Sequence, residues 1–217
     1  SISVDDYPTD RNDRRAHINC GENEDKSMGD VIIIKCIFTD SFAGQYKGGA
    51  ISIEQNCEVI ITETIFIRCY SVQKGGALYL VKYSLDDDYN KCEDNLLKKS
   101  DIQYCCFQDC YTLKKNNLTC GVALYSSAYN TTLLYDSTIN CSDTEISDGA
   151  QFDLQANDLV AKFLNVTGGK SKSCCGVHVR RADSVLIQYH GMNKMECKWG
   201  TMISINSYNN FVLSTCN

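Results

Sequence analysis

The amino-acid sequence predicts an all-β protein, a right-handed parallel β-helix of about six to seven coils that is rich in disulfides. Three observations lead to this prediction. A short phrase recurs at a nearly constant spacing, strand-like runs alternate with turn residues, and cysteine is unusually frequent. A phrase that returns at a fixed interval indicates a solenoid, because equivalent segments of successive coils then stack upon one another.

The repeated phrase reads Gly-Gly-Ala-Ile at residues 48–51 and Gly-Gly-Ala-Leu at residues 75–78. Weaker copies follow, and the steps between the residues that we take as equivalent are 27, 46, 28, 25 and 26. The four short steps define a coil of about 27 residues, whereas the long step indicates an insertion, which we place at residues 82–100. The equivalent residues are Ile51, Leu78, Leu124, Phe152, Val177 and Ile203.

A second strand-like run precedes each copy of the phrase. These runs are rich in β-branched and aromatic residues and are too short for ordinary helices. Asn, Asp, Ser and Gly fill the intervening corners, and the one proline, Pro8, lies outside the repeats, as continuous hydrogen-bonded ladders require. The runs occupy residues 32–38, 59–67, 102–107, 133–134, 159–163 and 185–187, and a further coil starts at residues 211–213.

Alternation along the repeated phrase assigns its two faces. Ile51 and Ile53 point inward, as do their equivalents in the later copies, while the residues between them form an outward row on one sheet. The double glycine before each inward strand allows a tight corner with positive φ and no Cβ clash. The predicted outward row consists of Ser52, Tyr79, Tyr125, Asp153, His178 and Ser204.

These motifs resemble a known group of repeats. Gly-Gly-Ala-Ile or Gly-Gly-Ala-Leu, with Phe-x-x-(small polar) upstream at residues 38–41, 66–69 and 107–110, is similar to the repeats of polymorphic outer-membrane adhesins. It is equally similar to the GGA-repeat β-helix surface proteins of protists. The bacterial motif ends in Asn where this chain has Ser or Cys, which favours the cysteine-rich eukaryotic form. The motifs are clear over residues 31–126, and the resemblance implies a surface, adhesive or structural role without an active site.

The chain has 14 cysteines among 217 residues, and none of their spacings matches a zinc motif. An even number of this size is typical of disulfide frameworks in an oxidising compartment. Cys69 and Cys110 both end a Phe-x-x-Cys motif on successive coils. We therefore predict a disulfide between Cys69 and Cys110, because the spacing of coils lies within the usual Cα–Cα range of a bridge.

Four Asn-x-Ser/Thr sequons, at Asn117, Asn130, Asn140 and Asn165, agree with passage through a eukaryotic secretory pathway. We expect glycans at Asn117 and Asn130 above all. Asn140 is followed directly by Cys141, which makes a poorer acceptor. The predicted location is extracellular or at the cell surface.

The charge balance excludes some classes of function. A net charge of −6 argues against nucleic-acid binding, which usually needs a basic surface. No apolar run reaches the roughly 18 residues of a membrane span. The acidic run at residues 86–88 is interpreted as a solvated loop, and no cofactor or metal ligand set is predicted.

The two ends of the chain are interpreted differently from its middle. Residues 1–30 are polar without a strand pattern and form an N-terminal arm or cap, while residues 31–217 form the β-helix. Phe211, Val212 and Leu213 begin a coil with no polar cap, so the N–H and C=O groups of that strand offer a template for another strand. Either the natural chain is longer, or another copy supplies the next coil; in the second case Phe211, Val212 and Leu213 mediate end-to-end self-association.

The predicted function is that of a non-enzymatic secreted or cell-surface glycoprotein with a structural or adhesive role, a filament subunit that stacks end to end. Its partners are further copies of itself or host and matrix surface molecules. The alternative is a carbohydrate-active β-helix enzyme, a polysaccharide hydrolase or lyase, in which Asp153, Gln155, His178 and Arg180 face a sugar. Isolated outward charges are more often solvated, so no catalytic residue is predicted. The insertion either contacts a partner or is plain variation.

Overall fold

The chain folds as a β-solenoid in which every described strand pairing is parallel. The structure is a computed structural model. It describes residues 16–17, 30–44, 46–54, 56–82, 96–113, 121–141, 149–171, 174–197 and 201–216. None of these residues lies in a helix. The prediction of an all-β parallel solenoid is therefore confirmed.

The strands stack in three main columns, which the chain visits in turn within each coil. The repeat column holds β1 (Ala16–His17), β4 (Ile51–Glu54), β8 (Leu78–Val81) and the first parts of β12 (Leu124–Leu134), β14 (Phe152–Lys162), β17 (Cys174–Asn193) and β19 (Thr201–Cys216). The second column holds β2 (Val31–Ile34), β5 (Glu58–Thr62), β9 (Leu97–Gln103) and the later parts of the long strands β12, β14, β17 and β19.

The third column holds β3 (Ile37–Thr39), β6 (Ile65–Ile67), β10 (Cys106–Gln108), β13 (Ser137–Ile139), β15 (Asn165–Thr167) and the end of β17. These stacked strands correspond to about five turns of the solenoid, fewer than the six to seven coils that the sequence repeat predicted. Two short pairs close the coils, β7 (Tyr70–Ser71) with β11 (Tyr111–Thr112) and β16 (Lys170–Ser171) with β18 (Glu196–Cys197).

The register of the repeat column agrees with the sequence repeat residue by residue. Ile51 pairs with Leu78, Leu78 with Leu124, and Leu124 with Phe152. Phe152 then pairs with Val177, which pairs with Ile203. The six residues taken as equivalent from sequence spacing therefore lie in one column, and the long step of 46 residues adds no rung of its own.

Inward side chains of the three columns form one core along the axis. Because equivalent residues lie directly above one another, similar side chains stack: the rings of Phe38, Phe66 and Phe107 are parallel, with centroids 5.3 and 5.0 Å apart. Ile51 and Leu78 are fully buried, as the alternation predicted. Contact between like side chains of successive coils packs the interior.

Two corners of each coil are formed by residues in the left-handed region. The first corner, between the second and third columns, has φ from 49° to 58° at Lys35, Glu63, Tyr104, Tyr135 and Phe163. The left-handed conformation costs free energy for residues other than glycine, so these residues adopt it because the rest of the fold requires it. The second corner repeats it at Asp40, Arg68, Asp109, Asn140, Gly168 and Lys194.

The double glycine has two separate structural roles. The first glycine of each pair forms a corner with positive φ, 68° at Gly48 and 63° at Gly75, as predicted. The second lies against the next coil: a Cβ atom on Gly49 would overlap the carbonyl oxygen of Gly76, and one on Gly76 would overlap that of Val122. The second glycine is therefore required by close packing of backbones.

Two predicted boundaries shift in the structure. Residues 97–100, predicted as the end of the insertion, belong to β9 and pair with β5 and β12. Within the predicted arm, Ala16–His17 forms a strand that pairs with β4 and so extends the repeat column. Residues 83–95 and most of the arm lie outside the described residues.

Replacing Gly76 with alanine tests the second role of the double glycine. We expect Gly76→Ala to destabilise the fold by at least about 3 kcal/mol, because a methyl group there must displace the backbone of the next coil. Gly44→Ala is the control: Gly44 has positive φ, 57°, unlike Gly76, but its Cβ would meet nothing within 4 Å. The control should cost only about 1–2 kcal/mol. Equal shifts in urea unfolding would contradict this explanation.

Candidate functional site

The predicted outward row is in register but is not open to solvent. Ser52, Tyr79, Tyr125 and Asp153 succeed one another in the repeat column, followed by His178. However, Tyr79 is 2% exposed and Tyr125 is 7% exposed. The row therefore lies outside the main core, as predicted, but its central residues are covered and not at the surface.

The two tyrosines of the row form a second apolar cluster outside the main core. Their rings stack at 5.4 Å between centroids, and Val81 packs with them. Lys47 Nζ lies 5.0 Å from the Tyr79 ring centroid, and Lys74 Nζ lies 5.2 Å from that of Tyr125. Cation–π contacts of this kind stabilise by about 0.5–1 kcal/mol at exposed sites and more where water is excluded.

Asp153, the carboxylate named in the carbohydrate-active alternative, is held in an ion pair. Arg180 binds it with two hydrogen bonds, Nε to Oδ1 at 2.8 Å and Nη2 to Oδ2 at 2.9 Å. His178 Nδ1 lies 3.5 Å from Oδ1, and the Arg180 guanidinium lies 5.9 Å from the Tyr125 ring centroid. The paired charges therefore join the end of the tyrosine cluster to the next coil.

The environment of Asp153 keeps its carboxylate ionised. Burial alone would raise the pKa, but the charge of Arg180 and the hydrogen bonds from His178 and Arg180 outweigh it and lower the pKa of Asp153 to about 2. A general acid needs a pKa near the working pH, and a nucleophile needs access to substrate. Asp153 has neither property, so this arrangement anchors the sheet.

Cys69 and Cys110 occupy equivalent positions on successive coils, as predicted, with Ser41 before them and Cys141 after them. Both are free thiols, so the disulfide predicted between them is not formed. Their Sγ atoms point in the same direction: Cys69 Sγ donates to the carbonyl of Phe38 at 3.6 Å, and Cys110 Sγ to that of Phe66 at 3.6 Å.

The geometry of parallel stacking explains why this bridge is absent. A disulfide needs Cβ atoms about 3.8 Å apart that point towards each other, whereas in-register coils lie about 4.8 Å apart with parallel Cα–Cβ bonds. The hydrogen bond with Cys110, together with burial, raises the pKa of the Cys69 thiol, and burial raises the pKa of Cys110. Thiols that stay protonated are poor nucleophiles. Cys36, Cys105, Cys106 and Cys141 are also free, whereas Cys197 is disulfide-bonded.

A buried carboxyl that the sequence reasoning missed lies at the first corner. Asp136 Oδ1 accepts a 2.8 Å hydrogen bond from the backbone N–H of Cys105, but Oδ2 has no partner. Burial raises the pKa of Asp136 well above its usual range, despite that hydrogen bond. Asp136 directly follows the corner residue Tyr135, as Cys36, Thr64 and Cys105 directly follow the corner residues of other coils. In the sequence, only this equivalence could have indicated an inward side chain.

The asparagines of three of the four sequons lie within the described residues, and all three are exposed. Asn130 lies on β12, Asn140 at the second corner, and Asn165 at the start of β15. The Asn140 side chain is folded over Gly168, since a Cβ on that glycine would overlap its Oδ1 atom. Asn117 lies outside the described residues.

The last coil exposes apolar residues that belong to inward positions. Phe211 pairs with Val185 and Leu213 pairs with Ile187, both of which are buried. Phe211 is nevertheless 63% exposed and Leu213 is 46% exposed. At the opposite end, Val31 and Ile33 occupy the equivalent inward positions and are buried. Among the described residues, β19 pairs only with β17.

Comparisons with known proteins give no relative: no protein-family model, no curated protein and no solved structure matches this chain. In the part of the chain that the structure describes, no group of three or more His, Cys, Asp or Glu residues could hold a metal ion. No helix among those residues has the length and hydropathy needed to cross a bilayer.

Replacing Arg180 with methionine tests the anchoring role of the ion pair. We expect Arg180→Met to destabilise the protein by about 3–5 kcal/mol at neutral pH, because the buried Asp153 carboxylate would lose both hydrogen bonds from Arg180 and keep only its contact with His178. Arg181→Met, at the exposed neighbouring position, is the control and should cost under about 1 kcal/mol. The folded pKa of Asp153 lies below the unfolded value near 3.9, so its contribution is present above about pH 4 and is lost as the pH falls towards 2. An Arg180→Met protein as stable as the control would refute this role.

The pH dependence of stability tests the assignment of Asp136. Its folded pKa is raised, so its contribution to stability is fully present below about pH 4 and is lost as the pH rises. We expect urea unfolding of Asp136→Asn to show a gain over wild type that grows between pH 4 and pH 8, since the amide keeps an acceptor for Cys105 but cannot ionise. Asp158→Asn, on the exposed side of β14, should give no such trend. A difference between Asp136→Asn and wild type that is independent of pH would contradict the assignment.

Proposed function

We propose that this protein is a structural or adhesive glycoprotein of the cell surface or extracellular matrix, and that its solenoid extends by stacking end to end on further copies of itself. The observation that supports this most directly is the exposure of Phe211 and Leu213 at inward positions of the last coil. One more coil on this end would bury them as Val185 and Ile187 are buried. Full burial of such side chains stabilises by about 1.5–3 kcal/mol each.

The second copy is the occupant that fits this surface best. A further coil must present a parallel strand whose inward residues match the axial stacking of the core, and the coils of this chain repeat that pattern of inward residues. Strand-to-strand addition also satisfies the backbone groups of the last strand by hydrogen bonding, as within the solenoid. A joint of this type connects unlike surfaces, so it continues into a fibre unless the ends close into a ring.

The remaining observations agree with a role in recognition or assembly. The outward carboxylate considered for sugar chemistry, Asp153, is buried in an ion pair with Arg180 and serves the packing of the sheet. Asn130, Asn140 and Asn165 are exposed, as glycan acceptors in a secreted chain must be. The resemblance to adhesin and protist surface repeats favours the same role, and the secretory location forms part of this proposal.

Sedimentation velocity of the full-length chain tests the stacking. We expect wild-type protein in oxidising buffer to form species whose mass rises with concentration. Phe211→Glu should remain monomeric, because a charge at the centre of the joint cannot be buried without a partner. Ile139→Glu is the matched control, since Ile139 is an exposed isoleucine on the side of the solenoid and should assemble like wild type.

Either of two outcomes would contradict the proposal: a wild-type chain that stays monomeric at high concentration, or a Phe211→Glu variant that assembles normally. Circular dichroism of each variant shows whether the β-rich fold is retained. A polysaccharide panel checks the enzymatic alternative, because reproducible release of reducing ends or unsaturated products would contradict a purely structural role.

A further inference from the structure

An exposed column of aromatic rings runs along the first corner of the solenoid. Tyr104, Tyr135 and Phe163 stack with centroids 4.9 and 4.5 Å apart and ring planes within 4° of parallel. They remain 56%, 48% and 38% exposed. Stacked rings of this size are usually covered in part. A continuous apolar surface that stays exposed to water therefore marks a place of contact with something else. We call these three residues the aromatic corner.

A glycan acceptor lies beside this corner in the same coil. Phe163 forms the corner, Leu164 points inward and is buried, and Asn165 is the next outward residue. Two residues on, Thr167 Oγ1 donates a 3.3 Å hydrogen bond to Asn165 Oδ1, so the two functional side chains of this sequon already face each other. Phe163 and Asn165 thus flank one buried residue at a left-handed turn, on the outside of the solenoid.

The column that contains Asn165 leaves room for a bulky substituent. Its register partners are Ser137 on the preceding coil and Gly191 on the following coil, both small residues. A Cβ on Gly191 would lie in ordinary contact with Asn165 Oδ1, at 3.7 Å, so the glycine leaves the room of one side chain against the asparagine unfilled.

The other described sequons lack this combination. The register partners of Asn130 are Lys99 and Asp158, which are longer and charged. Asn140 folds over Gly168. Neither asparagine has an aromatic residue two positions before it: Ala128 and Thr138 stand there, and both are buried.

We propose that Asn165 carries an N-linked glycan whose first sugar packs against the aromatic corner. The inference rests on the proposed secretory location. An N-acetylglucosamine ring has an apolar C–H face, which suits contact with aromatic rings, and its hydroxyl and acetamido groups face water. The sugar covers the exposed rings of Phe163 and Tyr135 and shields this side of the solenoid from non-specific contact, while the ends of the rod stay available for stacking.

Chemical accessibility of the tyrosines tests the contact. The full-length chain is secreted from eukaryotic cells as wild type, Asn165→Gln and Asn130→Gln, and peptide mass spectrometry measures occupancy at each sequon. Each protein is then treated with tetranitromethane after enzymatic trimming of glycans to a single N-acetylglucosamine. We expect high occupancy at Asn165, and nitration of Tyr135 several-fold slower in wild type than in Asn165→Gln. Asn130→Gln should nitrate like wild type.

A second measurement separates sugar packing from a merely structural effect of the ring. The shift in thermal midpoint between glycosylated and Asn165→Gln protein is compared on the Phe163 and Phe163→Leu backgrounds. We expect the glycan to raise the midpoint with Phe163 present, and most of that gain to vanish in Phe163→Leu.

An unoccupied Asn165, equal nitration of Tyr135 with and without the sugar, or an unchanged glycan-dependent shift in Phe163→Leu would each overturn the inference. If Asn165 alone is unoccupied, secretion itself stands and only this inference fails. If no sequon is occupied, the secretory location fails as well, while sedimentation of Phe211→Glu still decides the stacking independently.

Discussion

The structure depends on one constraint: the backbone hydrogen-bond ladder between coils continues through the corners. At the first corner, the N–H of Lys35 donates to Thr62, that of Glu63 to Gln103, and that of Tyr104 to Leu134, at 2.9–3.1 Å. The same pattern repeats at the second corner, where the Asp40 N–H donates to Ile67 at 3.0 Å. The ladders on the two sides of a corner can both continue only if every coil bends there in the same way. Residues other than glycine therefore adopt the left-handed backbone conformation at both corners.

This constraint explains which features the sequence could predict. The repeat column follows from a spacing of hydrophobic residues, and Ile51, Leu78 and Leu124 were paired correctly because their phrase contains glycines that the packing demands. The left-handed corners carry no such signal: Lys35, Glu63 and Tyr104 share a conformation but no chemistry, so composition could not reveal them. The strand at residues 97–100 was missed because an insertion that breaks the 27-residue spacing does not reveal where pairing resumes.

The errors in the candidate site have a physical origin as well. Alternation distinguishes inward from outward positions but cannot show whether an outward face is covered, so Tyr125 and Asp153 were expected at the surface. Spacing likewise placed Cys69 and Cys110 on successive coils but could not show that parallel stacking aligns their Cα–Cβ bonds. The same stacking that keeps these thiols apart leaves the last coil with exposed Phe211 and Leu213, and the proposed assembly depends on that surface.

Hydrogen exchange of the backbone amides of β19 tests the central claim most directly. Residues 210–214 lie on the strand that a second copy would cover, and an added strand would give new hydrogen-bond partners to those of their amides that do not donate to β17. The proposed stacking requires that these amides exchange much more slowly in the assembled protein than in the monomer, while those of β12 in the middle of the solenoid remain unchanged. Assembly that leaves the exchange of residues 210–214 as fast as in the monomer would contradict the account.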